Sequence, residues 1–264
     1  LRGRGQVAFP DLTWSNTQGL NTGLEVSASQ ATFGVSDLDR IVGREPRITG
    51  KVTLTPDFDL GVDVDALQTA MVNGPLKLSI TDAFDKLALE SKLDIAPGVV
   101  PPDLGLEISP ATLTANLEGA LSAPPGTIEL NVPSLDVAGQ SFSDISLTSR
   151  MSWSEQSVLS FGNDADFMLG SRAFKLAANV SLPSDELRVE AISLKGRHLA
   201  LNGDITLPDY SVPMRGDIAV SNLDAEFLDQ FGVGFGNGTV IADIALRPEN
   251  ERQTITASAS ARGL

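Results

Sequence analysis

Hydrophobic and polar residues alternate with a period of two through most of this chain. Because successive side chains of a β-strand point to opposite faces, such alternation predicts strands with one apolar and one polar face. The cleanest run places Leu199, Leu201, Gly203, Ile205 and Leu207 on one face. Similar runs occupy residues 47–55, 76–80, 112–121, 128–132, 214–220 and 240–246. The sequence therefore predicts an all-β protein built from amphipathic strands.

Helical periodicity is confined to one or two short segments. Residues 65–72 fit a turn or two of helix. Residues 222–231 are a better candidate for a helix, with Asn222 or Asp224 as the N-cap. Segments rich in proline and glycine interrupt the strands at 97–102 and at 124–126. We expect residues 1–264 to be a single elongated fragment of a larger protein, with a segment break near 97–103.

A loose repeat of the form apolar-x-Gly-x-apolar centres on Gly50, Gly119, Gly203 and Gly216. A glycine on the apolar face has no side chain, so another backbone or a ligand can approach it closely. The spacing of the copies is irregular, which does not fit a solenoid of fixed short period. A long sheet of many similar strands fits better.

Composition narrows the function classes. The chain has 264 residues, with 34 acidic against 19 basic side chains and a formal charge of −15. It contains no cysteine and one histidine, His198, which excludes disulfide scaffolds, thiol nucleophiles and cysteine-based zinc sites. Without a cluster of Lys and Arg, no nucleic-acid partner is expected. No uncharged stretch approaches the roughly 20 apolar residues of a transmembrane helix.

Four carboxylates, Asp57, Asp59, Asp63 and Asp65, are predicted to project to one side of an extended strand, which suggests calcium. An EF-hand loop, however, needs a different glycine position and a glutamate six residues after it. We interpret the segment as a solvated strand face and expect the opposite side to be core. That side comprises Phe58, Leu60, Val62 and Val64.

Two further features resemble chemical sites at first sight. The glycine-rich residues 232–238 lack the Gly-x-Gly-x-x-Gly spacing of a phosphate loop, so we interpret them as a turn before a strand at Val240. His198 is accompanied by no nucleophile motif, so we interpret it as a surface histidine. We predict no enzyme activity, no catalytic residue, no metal site and no cofactor.

The pooled apolar face leaves two architectures open. Two sheets could cover each other in a closed β-sandwich, or one folded-over sheet could stay open and hold an apolar ligand. Alternation alone does not separate them. The glycines on the inner face and the low aromatic content of 5% favour the open trough.

Two stretches carry a family resemblance. Residues 117–150 contain a Gly-x-Leu-x-x-Pro turn from Gly119, a loop ending in Gly139, and an Asp-Ile-Ser-Leu-Thr strand at 144–148. Residues 199–231 contain Leu-x-Gly-Asp-Ile-x-Leu-Pro and then Gly-Asp-Ile-x-Val-x-Asn-Leu-Asp. These motifs resemble the TamB family, a subunit of the translocation and assembly module of Gram-negative bacteria, and the wider AsmA-like group. The resemblance covers most of residues 48–262.

The resemblance implies an elongated periplasmic β-taco, which is a folded-over sheet forming an open trough with an apolar interior. Such proteins bridge the two membranes. The inner membrane holds an anchor helix that is absent from this fragment, and an Omp85-class (TamA-like) partner lies in the outer membrane. The implied roles are phospholipid transport between the membranes, and outer-membrane protein or autotransporter assembly and secretion.

We therefore expect a non-enzymatic protein whose groove takes phospholipid acyl chains. The predicted groove residues share the apolar parity of their strands. They are Ile48, Val52, Leu54, Leu113, Leu117, Leu199, Leu201, Ile205, Leu207, Ile218 and Val220. The alternative is a closed β-sandwich, a structural or adhesive module that binds a protein partner or calcium through its acidic face.

Overall fold

The computed structural model of the chain describes residues 2–97, 106–137, 139–154, 156, 158–225, 227, 237–249 and 252–263. Over these residues the all-β prediction is confirmed, because they form 18 strands in an open antiparallel sheet, with one short helix. The chain divides into two compact units, Leu1–Ser146 and Leu147–Leu264. Strand β11 (Gln140–Trp153) runs through the division.

The first unit is a meander of antiparallel strands. Strands β1 and β2 both pair with β3, and the sheet then continues in the order β4, β5, β6, β7, β9, β10. The short strand β8 pairs with the far end of β10. The elements are β1 (Arg2–Ala8), β2 (Thr13–Ser15), β3 (Gly19–Thr32), α1 (Ser36–Val42), β4 (Arg47–Leu54), β5 (Leu60–Gln68), β6 (Val72–Thr81), β7 (Lys86–Ile95), β8 (Leu106–Ile108), β9 (Ala111–Ala120) and β10 (Gly126–Val137).

The second unit continues the same plan with longer strands. From β12 to β18 each strand pairs with the next one along the chain. Its elements after β11 are β12 (Leu159–Leu169), β13 (Arg172–Leu182), β14 (Glu186–Gly196), β15 (Leu199–Pro208), β16 (Arg215–Asp224), β17 (Thr239–Glu249) and β18 (Arg252–Arg262). Every strand that the alternation predicts is present, including the one predicted at Val240.

Bulges interrupt the register of four successive pairings in the second unit, from β13–β14 to β16–β17. A bulge inserts an extra residue, bends the strand and increases its local twist. In β14 the bulge contains Ala191, whose φ of 52° lies in the left-handed region. Its backbone N–H donates to Oδ1 of Asp204 on β15 at 2.7 Å. A polar-face side chain therefore satisfies the amide that the bulge removes from the ladder.

The helices differ from those predicted. Strand β5 extends to Gln68, so the helix predicted over 65–72 is wrong. Strand β16 extends to Asp224. Of residues 225–236, only Ala225 and Phe227 are described, and both are in helical conformation. The remainder of the helix predicted over 222–231 lies outside the described residues.

Helix α1 was not predicted, because seven residues are too few to show helical periodicity. Acidic Asp37 and Asp39 lie in its first turn and Arg40 in its last, an order that suits the helix dipole. It ends at Gly43, whose φ of 75° favours glycine.

The segment break expected near 97–103 stays a prediction, because residues 98–105 lie outside the described part. The strands on either side of it pair with each other, with Ile95 of β7 opposite Ala111 of β9. Of the glycine-rich turn at 232–238, only Asn237 and Gly238 are described. Among the described residues, no helix is long and apolar enough to cross a membrane.

Candidate functional site

The strand register of the first unit joins the predicted groove residues into one apolar face. One row crosses β4, β5, β6, β7 and β9 with apolar partners at each step. The row consists of Val52, Val62, Leu78, Leu89 and Leu117. Leu54, Ile48 and Leu113 lie in parallel rows of the same face, opposite Leu60, Leu67 and Leu93 respectively. All five predicted residues of this unit therefore share a face.

The same holds in the second unit. Leu201 lies opposite Leu194 on β14 and Val220 on β16. The other predicted residues of β15 and β16 occupy neighbouring rows, and each of them lies opposite an apolar residue or a glycine. The pairs are Leu199 with Leu223, Ile205 with Val189 and Gly216, Leu207 with Leu187, and Gly203 with Ile218. Parity along each strand therefore assigned these six residues to one face correctly.

This apolar face is only partly covered. Of the eleven predicted groove residues, Val220 is buried at 8% exposure and the other ten are half-buried. No large side chain of the described residues is less than 2% exposed. The face is thus less enclosed than the core of a closed sandwich, in which two sheets cover each other.

The glycines of the repeat serve the sheet itself. A Cβ atom built on Gly50 would lie 2.2 Å from the carbonyl oxygen of Asp63, and one on Gly203 would lie 2.4 Å from that of Asp217. Gly216 has the same relation to Asp204, at 2.4 Å. The space is therefore taken by the backbone of the adjacent strand. The sequence allowed two uses for these glycines, close approach of another backbone or room for a ligand. The structure shows the close backbone approach, and it leaves no room for a ligand at these glycines.

An aromatic cluster lies where β12 and β13 meet, on the apolar face of the second unit. Phe167 and Phe174 are opposite each other in the register, and their rings stack with centroids 5.5 Å apart. The ring of Phe227, from the segment after β16, contacts Phe174 edge-on at 5.8 Å. The Arg172 guanidinium lies 5.7 Å from the Phe227 centroid, in cation–π geometry. Phe227 thus reaches back over two intervening strands, β14 and β15.

His198 lies in the turn from β14 to β15, at the same end of the strands as this cluster. Its side chain is 14% exposed, and its Nδ1 lies 2.9 Å from Oδ2 of Asp224. The backbone N–H of Asp224 donates to the carbonyl oxygen of His198 at 2.8 Å. The interpretation as a surface histidine is therefore wrong. The pair fastens the β14–β15 turn to the end of β16.

The four carboxylates near β5 do not share one strand face. Asp57 and Asp59 lie in the turn before β5, while Asp63 and Asp65 lie on the exposed face of the strand. Phe58, predicted as core, is 62% exposed and has a φ of 66°. That prediction is wrong because β5 begins at Leu60, so Phe58 belongs to the turn before the strand. Among the described residues, no group of three or more acidic or histidine side chains is placed to hold a metal ion.

Sequence reasoning missed the aromatic cluster. The pairing of Phe167 with Phe174 could have been predicted, since the two residues are equidistant from the Gly170–Ser171 turn and a hairpin there sets them opposite each other. Phe227 gave no such signal, because its contact joins distant parts of the chain.

Comparison with known proteins adds no relative. No protein-family model matches the chain, and no curated protein or solved structure matches it either.

Proposed function

We propose that the chain is a non-enzymatic binding protein that holds acyl chains of phospholipid on its apolar face. The observation that carries the proposal is the row from Val52 to Leu117, which continues across five strands while its members stay half-buried. A soluble protein rarely leaves such a face without an occupant. Acyl chains gain about 0.8 kcal/mol for each CH₂ removed from water.

The chemistry of the face suits passage along it. Its side chains are mostly Leu, Ile, Val and Ala, which make non-directional van der Waals contacts. The two neighbouring rows across β4 to β9 are also largely apolar. One consists of Leu54, Leu60, Ile80, Leu87 and Gly119, and the other of Gly50, Val64, Leu76, Ser91 and Ala115. A bound chain can then move from row to row without meeting a much deeper site. The charged residues of these strands lie on the opposite face, as the register of Lys51, Asp63 and Lys77 illustrates.

The resemblance to TamB and AsmA-like proteins supports a cellular setting for this activity. On that basis we place the chain in the periplasm of a Gram-negative bacterium, within a longer protein anchored in the inner membrane. Its partner in the outer membrane is of the Omp85 class. Phospholipid transport between the membranes, and outer-membrane protein assembly and secretion, are the processes in which it takes part.

A charge placed on each face in turn tests the proposal. Leu201→Asp puts a carboxylate on the apolar face, and Asn202→Asp puts the same carboxylate one residue away on the exposed face. The purified chains are titrated with cis-parinaric acid, a fluorescent fatty acid, and native mass spectrometry detects phospholipid that co-purifies. We expect Leu201→Asp to bind the probe about tenfold more weakly or not at all, because an ion is costly in an apolar site. Asn202→Asp should match the wild type.

Circular dichroism separates the outcomes. If Leu201→Asp unfolds the chain, the face is the core of a closed fold and the proposal fails. A folded Leu201→Asp variant with wild-type probe affinity would show that the probe binds elsewhere.

A further inference from the structure

The end of the second unit that carries the aromatic cluster is covered by the chain itself. The β12–β13 turn, the β14–β15 turn and the end of β16 all lie at this end, since Phe174 is opposite Gly196 and Leu199 is opposite Leu223. Ala225 follows β16 directly, and the Phe227 ring contacts the Phe174 ring edge-on. We call Ala225 and Phe227 the aromatic plug.

The plug and the ring that it contacts are buried. Ala225 is 0% exposed, Phe174 3% and Phe227 5%, whereas ten of the eleven predicted groove residues are half-buried. The Phe174 ring itself fills the space beside its cross-strand partner Gly196, where a Cβ atom would lie 2.4 Å from the ring. A phenyl ring supplied by the chain here covers the face in the way that a bound acyl chain would.

The base and the tip of the plug are held differently. At the base, the backbone N–H of Ala225 donates to the carbonyl oxygen of Gly238 at 2.9 Å, and the neighbouring Asp224 is bonded to His198. At the tip, the Phe227 ring packs on Phe174 and beneath the Arg172 guanidinium. Ring packing of this kind is apolar and can be replaced by another apolar group without leaving a polar atom unpaired.

We propose that the aromatic plug is a built-in competitor, which occupies the apolar face beside Phe174 and excludes an acyl chain from that end until the Phe227 ring leaves. The proposal rests on the proposed function and adds a residue that controls access. When a site is open for only a fraction of the time, the apparent affinity for its ligand falls by that fraction. Removing the ring therefore tightens binding.

The test compares Phe227→Ala with Phe58→Ala, which removes the same ring from an exposed turn where the side chain is 62% exposed. Full-length wild type and both variants are titrated with cis-parinaric acid, and the Kd and the number of bound probes per chain are measured. We expect Phe227→Ala to tighten the Kd by about three- to tenfold or to add a bound probe, in line with the lost competition. Phe58→Ala should leave both values unchanged.

Arg172→Gln provides a second variant that keeps every buried ring and removes the cation over Phe227. It should shift the Kd in the same direction by a smaller factor, and it keeps the proposal testable if Phe227→Ala does not fold. Folded variants with wild-type affinity and stoichiometry, or with weaker binding, would overturn the plug while leaving the proposed function standing. If the wild type binds no probe, the proposed function itself fails.

Discussion

The buried apolar side chains of the first unit are all small, whereas those of the second unit include large ones. Among the described residues of the first unit they are Ala31, Val64, Ala111, Ala115 and Val132. Those of the second unit are Leu169, Phe174, Val220, Ala225, Phe227 and Leu246. The strand pattern is the same in both. The difference shows that one amphipathic sheet can be left open along its rows or closed at one end by a few aromatic rings.

The polar faces differ as well. In the first unit the register sets opposite charges in a row across four strands, with Lys51, Asp63, Lys77 and Glu90 as successive partners. In the second unit the register places Asp204 opposite Asp217, two like charges that destabilise a strand pair unless they are compensated. Asp217 is paired with Arg247 at 2.6 Å. Asp204 accepts the bulge amide of Ala191. The first unit thus sets unlike charges on neighbouring strands opposite each other, whereas the second uses a carboxylate to satisfy the amide of a bulge.

Phe174→Ala should have the largest effect on this comparison. The side chain is 3% exposed and contacts two other rings, so we expect a loss of about 3–5 kcal/mol in the free energy of unfolding. Urea unfolding followed by circular dichroism measures it. Phe58→Ala is the control and should change stability by less than about 0.5 kcal/mol. A loss below about 1 kcal/mol for Phe174→Ala would mean that the cluster does not close this end of the unit.

Substitution of the repeat glycines should have an intermediate effect that is similar in both units. In Gly50→Ala and Gly203→Ala the new methyl group would meet a neighbouring carbonyl oxygen at 2.2 and 2.4 Å. We expect each to cost about 1–3 kcal/mol, because the strands must separate. Gly162→Ala is the matched control, since its nearest contact is 3.7 Å away. It should be neutral or stabilising by about 0.4–1 kcal/mol through the unfolded chain.

Those glycine variants are compared by thermal and urea unfolding. Equal stability of Gly203→Ala and Gly162→Ala would show that close backbone approach does not explain the repeat.

Reversing one charge in the first unit should have the smallest effect. Lys77→Glu sets three acidic residues in a row on neighbouring strands, so we expect a cost of about 0.2–1 kcal/mol for each pair at low salt. The cost should shrink as salt is added. Lys92→Glu makes the same change at a position opposite Thr114 and should be nearly neutral. Salt-independent effects, or equal effects of the two variants, would mean that the charge row contributes nothing to register.

Parity along the chain was enough to assign the strands that contain the alternating runs, and the face of each groove residue, because a period of two is a local property. Leu201 and Val52 lie on the apolar face of their strands for this reason. Parity did not single out other strands, such as β3 and β12 to β14. It could not place Phe58, since the turn before β5 breaks the parity one residue later. It also could not find the partner of His198, which is set by the register of β15 and β16, or the partner of Phe227, which lies beyond two intervening strands.

The contact between Phe227 and Phe174 also has a consequence for cooperativity. In a meander, each strand is hydrogen-bonded only to its neighbours, so such a sheet can lose strands one at a time from an edge, like a repeat protein. A ring that follows β16 and packs on β13 links four strands at once. Unfolding that starts at β18 should therefore proceed in small steps and then stop at β16, where the remaining strands must open together.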